Sequence, residues 1–244
     1  MAARRTAIVT GASRGIGHAT AMRFHAEGWQ VITVSRTPPP GQCPWSVARS
    51  HILLDLSDLG NIVRCIEIMK GMLADGELHA LVNNAGISPK GPGGTRLSSL
   101  DTDIATWQSM YNTNFYAPLL MTRGFAGELA KGGGAVVNLT SIAGSRVHRF
   151  AGSAYATSKA ALAALTREMA FDLAPAGVRV NAVAPGEIDT AILSPGTPEI
   201  VEREIPLHRL GTIEEVADMI WFLCSPQATY VTGAEIPING GQHV

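Results

Sequence analysis

Seven short runs rich in β-branched residues recur along the chain: TAIVT (6–10), QVITV (30–34), HILL (51–54), LHALV (78–82), AVVNL (135–139), VRVNAV (178–183) and AEIPI (234–238). Gly, Pro, Asn or Asp bounds them, as expected of strands. Helical patterns fall between them near 15–27, 58–74, 102–130, 153–174 and 212–224, the last opened by a Thr212/Glu215 capping-box signature. Strand then helix, repeated, leaves few folds, because each right-handed crossover lays the next strand parallel to the last and covers a sheet face. The expected fold is a doubly wound, seven-stranded parallel α/β sheet with helices on both faces, formed by a single domain over residues 1–244.

Composition agrees with a sheet buried on both sides: 46% of residues are hydrophobic and only 16% charged. One connection departs from the pattern. The stretch TPPPGQCPWSVARS (37–50) holds four prolines and cannot form a regular helix of any length, although its length still suffices for a crossover. The formal net charge is −1 and basic residues never cluster beyond a pair, so neither nucleic acid nor a membrane surface is an expected partner. Cys43, Cys65 and Cys224 are too few and too scattered for a disulfide framework or a thiolate metal site, which suits a reducing compartment. Arg4 and Arg5 precede only a short apolar run, and no stretch reaches the length of a membrane span. A cytoplasmic location is expected.

VTGASRGIGHA (9–19) follows the first strand and opens the first helix. Gly11 permits the tight turn, Gly15 lets the backbone approach a pyrophosphate, and Gly17 lets helix and strand pack closely, as in a Rossmann-type dinucleotide site. Where an NAD site would carry Asp or Glu at the end of the second strand, this chain has Ser35 and Arg36, with Arg14 inside the glycine turn. Two guanidiniums where a 2′-phosphate would sit favour NADP(H) over NAD(H).

Tyr155 and Lys159 stand four apart in GSAYATSKAALAAL (152–165), which places phenol and ammonium on one helix face. An ammonium ~4 Å from the phenol is worth ~4 kcal/mol at an effective dielectric of ~20, so Lys159 is expected to hold Tyr155 below its usual range. Farther upstream, Pro118 lies four residues after Asn114 and has no N–H to offer its carbonyl, so the 102–130 helix should kink and free that carbonyl.

Taken together, TGASRGIG, NNAG (83–86), YATSK (155–159) and PGEIDT (185–190) resemble the motifs of the short-chain dehydrogenase/reductase family, and the likeness covers essentially the whole chain. The C-terminal stretch IPLHRLGTIEEVADMIWFLCSPQATYVTGAEIPINGG (205–241) is similar in particular to bacterial 3-oxoacyl-thioester reductases and their sugar- or alcohol-oxidising relatives. The resemblance implies an oxidoreductase moving a hydride between NADP(H) and a carbonyl or secondary alcohol, 3-oxoacyl thioesters among the candidates. It assigns a catalytic tetrad to Asn114, Ser141, Tyr155 and Lys159. It assigns cofactor contacts to Gly11, Ser13, Arg14, Gly15, Ile16, Gly17, Arg36, Asp55, Leu56, Asn84, Ala85, Gly86, Tyr155, Lys159, Pro185, Gly186, Ile188 and Thr190. Asp55 and Leu56 would meet the adenine, Asn84 to Gly86 the adenosine ribose, and Ile188 and Thr190 the carboxamide, with Asn83 bracing the strand. The Asn114 carbonyl would hold a water that links Lys159 to solvent.

Ser141 and Tyr155 are 14 residues apart, one more than the usual family spacing, so Thr140 and Ser145 compete with Ser141 for its role. Arg146, His148 and Arg149 in the same loop are either solvated or greet an anionic substrate. ISPKGPGG, the 142–154 loop and a Pro/Gly-rich lid over 191–206 are the expected substrate walls. Two further readings compete with the NADP enzyme: a sugar or small-alcohol dehydrogenase using NAD, and a non-catalytic NADP(H)-binding regulatory protein. Helices 102–130 and 153–174 are apolar on more than one face, and the family accounts for this with a homotetramer.

Overall fold

Every residue of β1 (Thr6–Thr10) is buried, and successive side chains enter different cores. Ile8 joins the core on one face of the sheet, and Ala7 and Val9 join the core on the other. That is the alternation of a pleated strand, with apolar contacts on both sides because both faces are covered. The computed structural model describes residues 4–39, 41, 43–47, 49–190 and 196–244.

The remaining strands are β2 (Gln30–Ser35), β3 (His51–Leu53), β4 (Ala80–Asn83), β5 (Ala135–Leu139), β6 (Arg179–Pro185) and β7 (Glu235–Ile238). All pairings are parallel, in the order β3-β2-β1-β4-β5-β6-β7. The chain winds outward one way from β1 and then reverses to β4, which opens a crevice at the carboxyl ends of these two strands.

One face is covered by α1 (Gly15–Ala26), α2 (Pro44–Val47) and, farther along, α9 (Ile213–Cys224). Phe24, Trp45, Val216 and Ile220 fill the core there. On the opposite face α3 (Leu59–Lys70), α5 (Ala117–Gly124), α6 (Ala126–Gly132) and α7 (Ser153–Leu173) contribute Ile62, Met121, Leu129 and Met169. The capping box at α9 is formed: the Glu215 N–H donates to Thr212 Oγ1 at 3.2 Å and the Thr212 N–H to Glu215 Oε2 at 2.8 Å.

The proline-rich connection contains one helical turn, α2, whose Trp45 is buried. The long 102–130 helix is divided. α4 (Ile104–Tyr111) passes into a π-helical turn, Asn112–Tyr116, before α5 begins. There the Ala117 N–H donates to the Asn112 carbonyl five residues back, so the expected kink takes the form of a widened turn just ahead of Pro118. Within the expected lid, residues 191–195 lie outside the described residues, and Thr197–Glu204 form α8, a helix started by Pro198. Among the described residues no helix is long and apolar enough to cross a membrane.

Candidate active site

The crevice at the strand ends is a cleft of about 980 Å³. Of the residues expected at the site, all but Asn114 line it. Gly11 and Gly15 have φ of +69° and +56°, values a side chain would strain, and the Gly11 N–H donates to the Val34 carbonyl at 2.7 Å. Gly17 is required for a different reason, since a Cβ there would lie 2.3 Å from Asn84 Nδ2 and 2.4 Å from the Gly11 carbonyl. Glycine turn and β4 are bolted together: the Asn84 amide donates to the Thr10 and Gly11 carbonyls, and Thr10 Oγ1 accepts the N–H groups of Asn84 and Ala85. Asn84 therefore lines the cleft while its side chain holds the turn. Asn83 braces the sheet by donating to Asn138 Oδ1 at 2.9 Å.

At the far end of the cleft Arg14 and Arg36 are exposed, and neither lies within ion-pair distance of a described carboxylate. Asp55 sits on that side with Oδ1 accepting from the Ser57 N–H and hydroxyl. Those bonds, the backbone one foremost, and the Arg36 charge hold its carboxyl below the usual range. The opposite wall is Pro185, Gly186, Ile188 and Thr190. A Cβ on Gly186 would come within 2.6 Å of Asn239, so only glycine lets β6 turn there.

Lys159 is fully buried behind the cleft and donates to the Leu139 carbonyl at 2.6 Å. Burial lowers its pKa to about 8. Gly86 packs against it: a Cβ there would stand 3.3 Å from Lys159 Nζ and 3.4 Å from Asn114 Oδ1. Asn114 clamps the next residue, accepting from the Ile87 N–H at 2.9 Å and donating to the Ile87 carbonyl at 3.0 Å and to Ser158 Oγ at 3.1 Å.

Tyr155 departs from the sequence-based expectation. Burial pushes its phenol up, the Ser141 hydrogen bond pulls it partway back, and the negative charge of Glu187 opposes ionisation further. Lys159 Nζ is 5.8 Å from the Tyr155 ring centre and already engaged with Leu139, so it does not bring the phenol down. Of the three hydroxyls competing to face Tyr155, Ser141 is the one that acts on its phenol and shares the small cavity with it. Thr140 is turned to the Val183 carbonyl and Glu235, and Ser145 bonds the Ile142 carbonyl.

A smaller cavity of about 160 Å³ shares Ser141, Tyr155 and Glu187 with the cleft and adds Lys90, His148 and Phe150. Burial lowers the Lys90 ammonium, with Glu187 opposing that shift. The sequence marked ISPKGPGG and the 142–154 loop as walls but gave Glu187 no role; its signal was a lone carboxylate directly after the turn that ends β6. Arg146 and Arg149 are neither free nor in the cavity. Arg149 pairs with Glu199 and Glu204 of α8, and Arg146 pairs with Glu204 and donates to the Gln242 carbonyl.

A family model described as Enoyl-(Acyl carrier protein) reductase matches residues 11–243. The chain belongs to the short-chain dehydrogenase/reductase family. Protein FixR of Bradyrhizobium diazoefficiens is 56% identical over 239 residues, 97% of this chain and 86% of the relative. A crystal structure of a short-chain dehydrogenase/reductase from Brucella ovis, in complex with a partially ordered NAD, is 54% identical with a TM-score of 0.84, covering 97% of this chain and all of that one. A 3-oxoacyl-[acyl-carrier-protein] reductase of Aquifex aeolicus is 34% identical over 252 residues, 97% of this chain and 96% of the relative. As a short-chain dehydrogenase/reductase, the chain is an oxidoreductase of a family that uses nicotinamide cofactors. The glycine turn fits such a group: its backbone approaches the cleft without side chains, and α1 presents its N-terminus there.

Proposed function

We propose that the chain catalyses hydride transfer between NADP(H) and a carbonyl or secondary-alcohol substrate, with NADPH, a proton and the carbonyl giving NADP⁺ and the alcohol. The observation that carries this reading is the placing of Ser141 and Tyr155 together where the cofactor-sized cleft opens into the smaller cavity, with Lys159 buried behind them. When bound, the nicotinamide supplies the hydride. Tyr155 donates the proton to the substrate oxygen and Ser141 steadies that oxygen through its hydroxyl. An unionised phenol is the form needed for reduction, so the raised pKa of Tyr155 suits this direction. Lys159 holds its ammonium on the Leu139 carbonyl, 5.8 Å from the Tyr155 ring centre, and Asn114 fixes Ile87 and Ser158 around both.

Arg14 and Arg36, uncommitted at the far end of the cleft, support NADP(H) as the preferred cofactor. NAD is the second reading, favoured by the NAD in the Brucella ovis relative. The two separate in a direct comparison of NADPH and NADH affinities for wild type and Arg36→Ala, the variant losing affinity for NADPH alone. Exposed Tyr116 and Phe171 on α5's approach and α7 support a homotetramer. Cys65 and Cys224, both buried and outside any disulfide among the described residues, support a reducing, cytoplasmic setting.

The decisive experiment is a panel of carbonyl substrates read by cofactor absorbance. Wild type turns over at least one, and Tyr155→Phe lowers kcat by ~100-fold or more while NADPH binding stays near wild type. Undiminished turnover by Tyr155→Phe would sink the assignment, and a protein that binds NADPH but turns over nothing would be a regulatory binder.

A further inference from the structure

The small cavity beside Ser141 and Tyr155 has a polar far wall made by three separate connections. Lys90 comes from the loop after β4, His148 from the loop after β5 and Glu187 from the turn after β6. His148 and Glu187 are largely buried, their side chains 11% and 14% exposed. The Phe150 N–H donates to His148 Nδ1 at 3.3 Å, which leaves the proton of a neutral ring on Nε2. Nε2 stands 2.8 Å from Glu187 Oε1, but off the line of its N–H, so this buried donor has no aligned acceptor. Lys90 spends one N–H on the Phe150 carbonyl and keeps two. The wall thus offers one carboxylate acceptor beside two donors, and with a neutral imidazole its charges cancel.

Three kinds of substituent could follow the reacting carbon into this space. An alkyl or acyl chain would strip these groups of water and return no hydrogen bond. A carboxylate would meet Glu187. A hydroxyl both donates to the Glu187 carboxylate and accepts from His148 or Lys90, matching the wall in each sense. The volume, about 160 Å³, is below the ~300–1,000 Å³ of pockets that enclose a whole drug-sized ligand, so it suits a short substituent and not a ring system.

We infer that the substrate is a small, uncharged hydroxylated carbonyl compound, or the corresponding polyol, whose hydroxyl beside the reacting carbon is bound by Glu187 with His148 and Lys90, Glu187 setting the specificity. This rests on the carbonyl-reductase reading above and names its substrate class. Glu187 lines the same small cavity as Ser141 and Tyr155, so the hydroxyl it meets is one beside the reacting carbon.

The test compares isosteric probes with NADPH as reductant: hydroxyacetone against butanone, with pyruvate and an acetoacetyl thioester alongside. Wild type should favour hydroxyacetone over butanone in kcat/KM by ~100-fold or more, a floor below the ~10⁴–10⁵-fold by which a fully enclosing hydroxyl site rejects an analogue lacking it. Glu187→Leu should cut that preference at least ~10-fold, and its NADPH affinity shows whether the variant is folded; Glu187→Gln, which keeps a hydrogen-bonding group, should fall between. Higher kcat/KM on butanone, pyruvate or the thioester overturns the inference, as does an unchanged ratio in a Glu187→Leu protein that binds NADPH. Should no probe be reduced, binding decides: 1,2-propanediol and 2-butanol are titrated into the enzyme–NADP⁺ complex by saturation-transfer NMR. Selective binding of the diol, lost in Glu187→Leu, upholds the inference while the reductase reading falls; equal binding or none overturns it.

Discussion

Lys159 Nζ donates to the Leu139 carbonyl at 2.6 Å, so the ammonium is anchored to the end of β5 and not to the Tyr155 hydroxyl one helical turn away. A charge held there is expensive, and burial lowers its pKa from 10.5 to about 8. Below pH 8 the folded protein carries the whole cost of a buried ammonium. Between 8 and 10.5 the unfolded chain binds the extra proton, so the cost fades as pH rises. The stability advantage of Lys159→Met over wild type should therefore shrink by roughly 3 kcal/mol across that interval, at ~1.4 kcal/mol per pH unit. Urea unfolding of the two cofactor-free proteins at several pH values measures it, and a difference independent of pH would refute it.

Gly17 and Gly15 should respond differently to alanine. At Gly17 the new Cβ would lie 2.4 Å from the Gly11 carbonyl, a backbone atom that cannot step aside without opening the turn. Gly17→Ala should lose ~1–3 kcal/mol of stability and most of its cofactor affinity. At Gly15 the Cβ meets only Thr190, at 3.8 Å, and the cost is that of φ +56°, ~1–2 kcal/mol. Thermal melts with and without NADPH separate steric closure of the turn from backbone strain.

Much of this was legible in the chain. The seven strands could be read because a sheet covered on both faces needs apolar runs throughout, and β1 is buried at all five positions. Helix α9 announced itself through Thr212 and Glu215, which are local. Pro118 foretold a break, but the widened Asn112–Tyr116 turn depends on how α4 and α5 pack, which no short window contains. Helix α8 was missed because TPEIVERE buries only Thr197 and Ile200, leaving no apolar stripe to read. The environments of Tyr155 and Glu187 are hardest of all. The Tyr155 environment depends on Lys159 finding Leu139, 20 residues upstream, and the small cavity on three loops meeting.

Glu215 shows how one carboxylate serves two partners. Arg209 Nη2 lies 2.6 Å away, the Thr212 N–H donates to it as well, and together they hold the carboxyl at about 2. Its contribution is present above the unfolded value, near 4.5, and is lost as pH falls through about 2. Wild type should exceed Glu215→Gln in stability at pH 6, the gap narrowing as pH drops to 2–3. Thr212→Ala should cost ~1 kcal/mol at every pH, because its hydroxyl does not titrate. Denaturation curves over this range check both, and a Glu215→Gln gap that persists unchanged at low pH would assign the effect to packing.

The loop bearing Phe150 is clasped to α8 by charge. Arg149 reaches Glu199 at 3.5 Å and Glu204 at 3.3 Å, and Arg146 reaches Glu204 at 3.3 Å, so one carboxylate serves two arginines. Each exposed pair is worth only ~0–1 kcal/mol, too little to matter for global stability. The loop carries His148 and Phe150 of the small cavity, and Phe150 also packs on Gly196 beside α8. Loosening the clasp therefore acts on substrate capture. Glu204→Gln should raise KM for the carbonyl substrate several-fold with kcat and NADPH affinity little changed. Added salt should raise the wild-type KM toward the variant's value, since screening weakens exposed pairs. Steady-state kinetics across a salt series measures this, and equal KM values for the two proteins at low salt would show that the loop holds its place without the clasp.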